Sequence, residues 1–123
     1  IAPFTDNLPS GSATRPGDVF TAMNGKTVEV DNTDAEGRLV LGDALTYADS
    51  LGPSLIIDLA TLTGAVGVAL GTATSAIYTK SPTILETFKK VAAITGDRVW
   101  HMPLFNDYSR LVESKVADLI NST

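Results

Sequence analysis

A change in hydrophobic period near residue 39 limits the folds that the chain can adopt. From Leu39 onward the apolar residues recur with a helical period, on a stripe formed by Val40, Leu41, Ala44, Leu45, Ala48 and Leu51. Gly52-Pro53 ends this pattern, and residues 54–59 then form a nearly continuous apolar run. Such a run is typical of a strand covered on both faces. A helix that leads into such a strand predicts an α/β fold, with a mixed, largely parallel sheet flanked by helices.

Turn and capping signals predict the remaining elements. Residues 1–18 hold three of the six prolines and read as a loop. Asn24-Gly25 joins two strand-like runs, which predicts a β-hairpin with a type I′ turn. Ser81 and Pro82 predict the start of a second helix, and Gly96 predicts its end. Shorter elements are expected as strands over 73–79 and 99–102 and as a weak helical segment over 108–112.

Composition indicates the class of protein and excludes several partners. With 123 residues, of which 44% are hydrophobic and 19% charged, the chain has the material for one packed domain. Its net charge of −5 and scattered Lys and Arg residues argue against nucleic-acid binding. No apolar stretch reaches the ~20 residues of a membrane span. The absence of cysteine fits a cytoplasmic protein, and a chain that opens on Ile1 is expected to be a piece of a longer polypeptide.

Three charged residues stand where the strand pattern gives way to the helix. Asp34, Glu36 and Arg38 lie within residues 31–45. One interpretation is structural, because Thr33 and Glu36 have the spacing of a capping box. The other is chemical and needs an extended segment, in which all three side chains share one side. The carboxylates would then suit a divalent cation, and the guanidinium a planar anion.

Other candidate residues have simpler interpretations. The loop over residues 60–65 follows the predicted strand 54–59, at the edge of a sheet where α/β proteins bind ligands. Asp58, near the end of that strand, is expected to accept hydrogen bonds from backbone N–H groups of this loop. His101, the single histidine, is expected to be a half-buried packing residue.

The segment Asn32–Leu39, NTDAEGRL, resembles the signature octapeptide of the leucyl (cytosol) aminopeptidase family of dinuclear metallopeptidases. Further segments are similar to the same family in the same order, and together they extend over nearly the whole chain. They are NLPSG at 7–11, RPGDV at 15–19, NGKTVEV at 24–30, ATLTGA at 60–65 and TGDRVWHMPLF at 95–105.

The resemblance implies a metal-dependent exopeptidase that releases N-terminal residues, often leucine, from peptides. It implies two divalent metal ions, zinc, manganese or magnesium, with Asp34 and Glu36 as ligands. Arg38 would hold a bicarbonate ion that acts as the general base. Thr61 would border the side-chain pocket, and backbone groups of Leu62 and Gly64 would bind the substrate. The resemblance also implies a homo-oligomer, a hexamer, for the full-length protein.

The same family carries further site residues before the segment that this chain resembles. They are a lysine ligand, two more aspartate ligands and a catalytic lysine, together with a whole N-terminal domain. Residues 1–123 are therefore expected to be part of the metallopeptidase catalytic domain and inactive by themselves. An alternative is a non-catalytic relative that acts as a structural or assembly subunit, although retention of Asp34, Glu36 and Arg38 counts against it.

Overall fold

The computed structural model describes residues 1–123 and has a mixed α/β architecture, as the sequence predicts. Helices and strands follow in the order β1 Val19–Thr21, β2 Thr27–Glu29, a 3-10 helix Thr33–Ala35, α1 Glu36–Ser50, α2 Ala65–Leu70, β3 Ser75–Ile77, α3 Pro82–Thr95, β4 Val99–His101, a 3-10 helix Asn106–Val112 and β5 Leu119–Ile120. The chain divides into two compact units, residues 1–62 with 109–123, and residues 63–108.

The first unit contains a three-stranded sheet in the order β1-β2-β5. β1 and β2 form the predicted hairpin, with Phe20 opposite Val28. β5 pairs with the other edge of β2 in parallel, with Val28 opposite Leu119. Because β2 and β5 are about 90 residues apart, this pairing brings the end of the chain beside the segment that follows β2. The sequence pattern did not predict β5.

The hairpin turn differs from the type I′ turn that Asn24-Gly25 predicts. A type I′ turn needs positive φ at both central residues, but only Gly25, at +85°, has it. The Gly25 N–H donates to the Ala22 carbonyl, and the Ala22 N–H donates to the Lys26 carbonyl, both at 2.8 Å. The turn is therefore a three-residue loop that ends on a left-handed glycine.

Helix α1 begins three residues earlier than its apolar stripe predicts and ends, as expected, just before Gly52. Most of the stripe is half-buried, whereas Leu51 is exposed. Asp43, expected on the polar face, instead accepts a hydrogen bond from the Met23 N–H at 2.8 Å. This bond ties the helix to the tip of the hairpin.

The predicted strand over residues 54–59 is absent, and this expectation was wrong. The segment pairs with none of the five strands, and Leu59 is 93% exposed. A strand needs a neighbouring backbone to complete its hydrogen bonds, and nothing within the chain supplies one here.

The second unit consists of α2, a parallel pair β3-β4 and α3. Helix α3 matches its predicted limits. Ser81 caps its start by accepting a hydrogen bond from the Ile84 N–H at 3.3 Å, and Gly96 ends it with a left-handed φ of +79°. None of the helices is both long and apolar enough to span a bilayer.

Candidate functional site

Asp34, Glu36 and Arg38 lie on a continuous helical segment, so the extended conformation that the chemical interpretation required is absent. Asp34 is in the 3-10 helix, Glu36 is the first residue of α1, and Arg38 is in the first turn of α1. Side chains two residues apart on a helix do not face each other. The three side chains therefore do not form one row along the chain.

The structure also replaces the capping box with a different cap. The Asn32 side chain, and not that of Thr33, accepts a hydrogen bond from the Asp34 N–H at 2.9 Å. Ala35 precedes α1 and provides no side-chain cap. The carboxylates of Asp34 and Glu36 make no hydrogen bond or ion pair within the chain. Both remain available to a ligand, while the positive end of the helix dipole favours their negative charge.

The Arg38 side chain is anchored at one point. Its Nη1 donates to the Asn121 carbonyl at 2.8 Å, and no acidic side chain neutralises it. A guanidinium has five N–H donors in a planar fork, so most of them stay free for a planar anion. Arg38 and Asn121 also line a cavity of about 230 Å³ between the three-stranded sheet and α1.

Asn121 organises the turn that leads into this site. Its side chain is only 4% exposed, and it accepts hydrogen bonds from the N–H groups of Asp31 and Asn32 at 3.0 and 3.2 Å. Its amide nitrogen donates to the carbonyls of Asn32 at 2.7 Å and Ala35 at 3.4 Å. Sequence patterns missed this residue, because its role depends on the β2-β5 pairing. No local signal marks an asparagine after a two-residue strand.

The residues expected to bind substrate are divided between the two units. Leu62 lies in the first unit, where a Cβ placed on Gly37 would come within 3.1 Å of its Cδ2 atom. Leu62 thus packs against α1 between Glu36 and Arg38. Thr61 is exposed in the same irregular segment. Gly64, in the second unit, precedes α2, and its carbonyl accepts a hydrogen bond from the Val68 N–H at 3.2 Å.

The donors of the site suit a divalent cation in kind but supply only part of a ligand set. Carboxylate oxygens are hard donors of the type such cations prefer. However, no group of three or more His, Cys, Asp or Glu side chains lies together in the chain. Asp34 and Glu36 therefore amount to at most two of the ligands that such an ion needs, and the chain does not complete a metal site alone.

Two other expectations about side chains were wrong. Asp58 is exposed and accepts no hydrogen bond from the following loop. His101 is exposed instead of half-buried, and its Nε2 lies 3.1 Å from the Thr79 carbonyl. Neither residue adds to the site at the start of α1.

Comparison of the structure with solved proteins indicates the class of protein. A tomato leucine aminopeptidase variant superposes with a TM-score of 0.89 at 48% sequence identity, over 94% of this chain and 23% of that one. The chain therefore has the α/β fold of the matching part of a peptidase.

Sequence comparison then gives the family. Residues 1–123 match the model of the cytosol aminopeptidase family, catalytic domain, so the chain belongs to this family. The cytosol aminopeptidase of Dictyostelium discoideum is 57% identical over 123 residues, 99% of this chain. That of Xenopus tropicalis is 54% identical over 122 residues, 98% of this chain. The chain spans 24% of the length of each of these relatives.

Proposed function

We propose that this chain forms part of the catalytic domain of a metal-dependent aminopeptidase, which releases N-terminal residues from peptides with a leucine-type preference. The observation that carries the proposal is the start of α1. There, two carboxylates without protein partners accompany an arginine whose fork is mostly free. Membership of the cytosol aminopeptidase family supports the same reaction.

Asp34 and Glu36 would hold two divalent ions, zinc, manganese or magnesium, together with donors outside these 123 residues. When bound, the metal ions supply a Lewis acid for the peptide carbonyl and an activated water. The negative charge of the two carboxylates also favours the free ammonium group of a peptide's first residue. This preference would restrict the enzyme to chain ends.

Arg38 would orient a bicarbonate ion. The hydrogen bond to the Asn121 carbonyl fixes one edge of the guanidinium, and the remaining N–H groups can bind two oxygens of a planar anion side by side. Bicarbonate held there would supply a general base. Thr61 would border the pocket for the first side chain of the substrate, and backbone groups of Leu62 and Gly64 would bind the substrate's main chain.

The proposal extends to the context of the chain. Residues 1–123 would work within a larger catalytic domain, in a hexameric cytosolic enzyme, and would not turn over substrate alone. The part of the chain's surface that remains uncovered agrees with such a context, since Leu59 and Val68 are each more than 90% exposed.

Isosteric substitutions in the full-length polypeptide that carries this chain test the metal ligands. Asp34→Asn and Glu36→Gln remove one negative charge each without changing shape. We expect kcat/KM for leucine p-nitroanilide with manganese to fall by more than the 10–100-fold typical of a residue that only supports a ligand. Glu86→Gln is the matched control, because Glu86 pairs only with Lys89 on the exposed face of α3. Equal activity in all four proteins would refute the assignment.

Bicarbonate dependence tests Arg38 separately. We expect added bicarbonate to stimulate the unmodified enzyme and to leave Arg38→Ala unaffected. The kcat of Arg38→Ala should be about 100-fold lower than that of the unmodified enzyme, as for loss of a general base. Arg38→Lys keeps the charge but not the planar fork, so it should regain only part of the rate.

A full-length protein that binds manganese and hydrolyses no aminoacyl substrate would instead support the alternative function, a structural or assembly subunit.

A further inference from the structure

The side chain of Asn121 uses every hydrogen-bonding position that an amide has. Its oxygen accepts from two backbone N–H groups and its nitrogen donates to two backbone carbonyls, all within residues 31–35. A carboxamide has two donors and two acceptor sites, so the set is complete. Neither an acid nor a hydroxyl of similar size could make these four bonds.

These bonds fix the backbone immediately before the proposed metal ligands. Asn32 is held by its N–H and by its carbonyl, and its own side chain caps the Asp34 N–H. Ala35, between Asp34 and Glu36, is 8% exposed and accepts a bond from the same amide. The place of both carboxylates thus depends on one residue about 85 positions further along the chain.

The main chain of Asn121 acts on the third residue of the site. Its carbonyl accepts the Arg38 Nη1 hydrogen, and its N–H donates to the Glu29 carbonyl at 3.0 Å. The strand β2 therefore anchors Asn121, and Asn121 in turn anchors both the turn and the guanidinium. Asn121 therefore fixes the position of the Arg38 guanidinium relative to the backbone that carries Asp34 and Glu36.

We infer that Asn121 is a positioning residue, whose buried amide keeps Asp34 and Glu36 in the geometry needed for metal binding. This inference rests on the proposed function. Residues that support metal ligands typically contribute 10–100-fold to metal affinity. The contribution comes from preorganisation, because an unrestrained turn would lose conformational freedom each time a metal ion binds.

A second set of hydrogen bonds between β2 and the residues next to β5 provides a matched control. Thr27 and Asp118 join β2 to the segment before β5 through three hydrogen bonds of 2.8 to 3.0 Å. Like Asn121, they connect parts of the chain about 90 residues apart. Unlike Asn121, they touch none of residues 31–38. Asp118→Asn should therefore weaken this strand connection without affecting the metal ligands.

The test measures manganese binding to metal-free full-length protein by equilibrium dialysis, alongside hydrolysis of leucine p-nitroanilide. For Asn121→Ala we expect the manganese dissociation constant to rise 10–100-fold, with KM at saturating manganese changed less than twofold. Asn121→Asp has the same shape and keeps both acceptor bonds but loses both donor bonds. It should fold and raise the constant about tenfold. Asp118→Asn should bind manganese as the unmodified protein does.

The outcomes separate the inference from the proposed function. If unmodified protein and Asp118→Asn bind manganese and hydrolyse substrate, and both Asn121 variants bind manganese within twofold of them, Asn121 has only a structural role and the inference fails. If Asp118→Asn weakens binding as much as the Asn121 variants do, general loss of the sheet explains the effect, and the inference also fails. If the unmodified protein neither binds manganese nor hydrolyses substrate, the proposed function fails and the inference fails with it.

Discussion

At the start of α1 the helix cap and the two carboxylates belong to different residues, so the structural and the chemical interpretation of this segment do not exclude each other. The capping task falls to Asn32, so Thr33 and Glu36 are not needed for it. This arrangement leaves the carboxylates of Asp34 and Glu36 without protein partners. A helix start can therefore be capped and still present two acids to a ligand.

Adding one methyl group at Gly37 tests the close contact between the start of α1 and Leu62. In Gly37→Ala the new Cβ would meet Leu62 Cδ2 at 3.1 Å, so Leu62 must move by a few tenths of an ångström. Leu62 is 41% exposed and can move, while alanine favours the helix by about 0.5–1 kcal/mol. We expect unchanged or slightly higher thermal stability of the full-length protein, with KM for leucine p-nitroanilide raised about two- to fivefold.

Gly42→Ala is the control for this substitution. Gly42 lies in the same helix, and a Cβ placed there meets no atom within 4 Å. The gain in helix stability should be similar, but KM should not change. If both variants raise KM equally, the effect comes from the helix and not from the contact with Leu62.

At the scale of elements, turn residues, capping residues and hydrophobic periodicity predicted most of the helices and strands. The hairpin, α1, α3 with its Ser81 cap and Gly96 end, and the short strands β3 and β4 all form where turn and capping residues indicate them. The hairpin and the two helices depend mainly on neighbours in sequence. β3 and β4 differ, because they pair in parallel across α3 and are about 24 residues apart.

The elements that sequence reasoning missed depend on distant partners. β5 has only two residues and exists through its parallel pairing with β2, so its sequence carries too little pattern to find it. Residues 54–59 show the opposite case. Their apolar run indicates a strand buried on both faces, and within this chain no strand lies beside them. Dependence on distant partners also explains the outcome at the candidate site. The sequence predicted its charged residues but not Asn121, whose role depends on the pairing of β5 with β2.

The connection between β2 and the segment before β5 should depend on pH. The Thr27 N–H and, to a lesser degree, its hydroxyl donate to the Asp118 carboxylate and lower its pKa below the usual value, with nearby Lys26 contributing. A lowered pKa in the folded state means that ionised Asp118 stabilises this junction above about pH 4 and that the contribution is lost as pH falls through the folded pKa.

Hydrogen exchange in the full-length protein can detect this local effect. We expect the peptide that contains residues 26–30 to exchange faster in Asp118→Asn than in the unmodified protein at pH 6. The difference should shrink as the pH is lowered from 4.5 to 3. A difference that stays constant over this range would show that the charge of Asp118 does not matter.

The whole molecule exposes more surface than a self-contained domain of its size. Its accessible area is 9406 Å², whereas a folded monomer of 12.9 kDa exposes about 6,300 Å². Treating the two units as independent domains raises that expectation only to about 7,600 Å². The buried apolar residues are few, namely Val28, Val30 and Ala35. Many large apolar side chains are exposed instead, among them Leu59 and Val68, and such a surface needs covering by further protein.

We therefore expect the isolated 123-residue chain to be unstable or to aggregate, and to be inactive toward leucine p-nitroanilide with manganese. Too little apolar area is buried to offset the conformational entropy of ordering the chain. Size-exclusion chromatography, binding of a hydrophobic dye and scanning calorimetry check this expectation. A monomer that binds no dye and unfolds in one transition, with an enthalpy near the roughly 85 kcal/mol of a domain this long, would contradict it. Turnover by such a monomer would further show that Asp34, Glu36 and Arg38 need no residues from outside the chain.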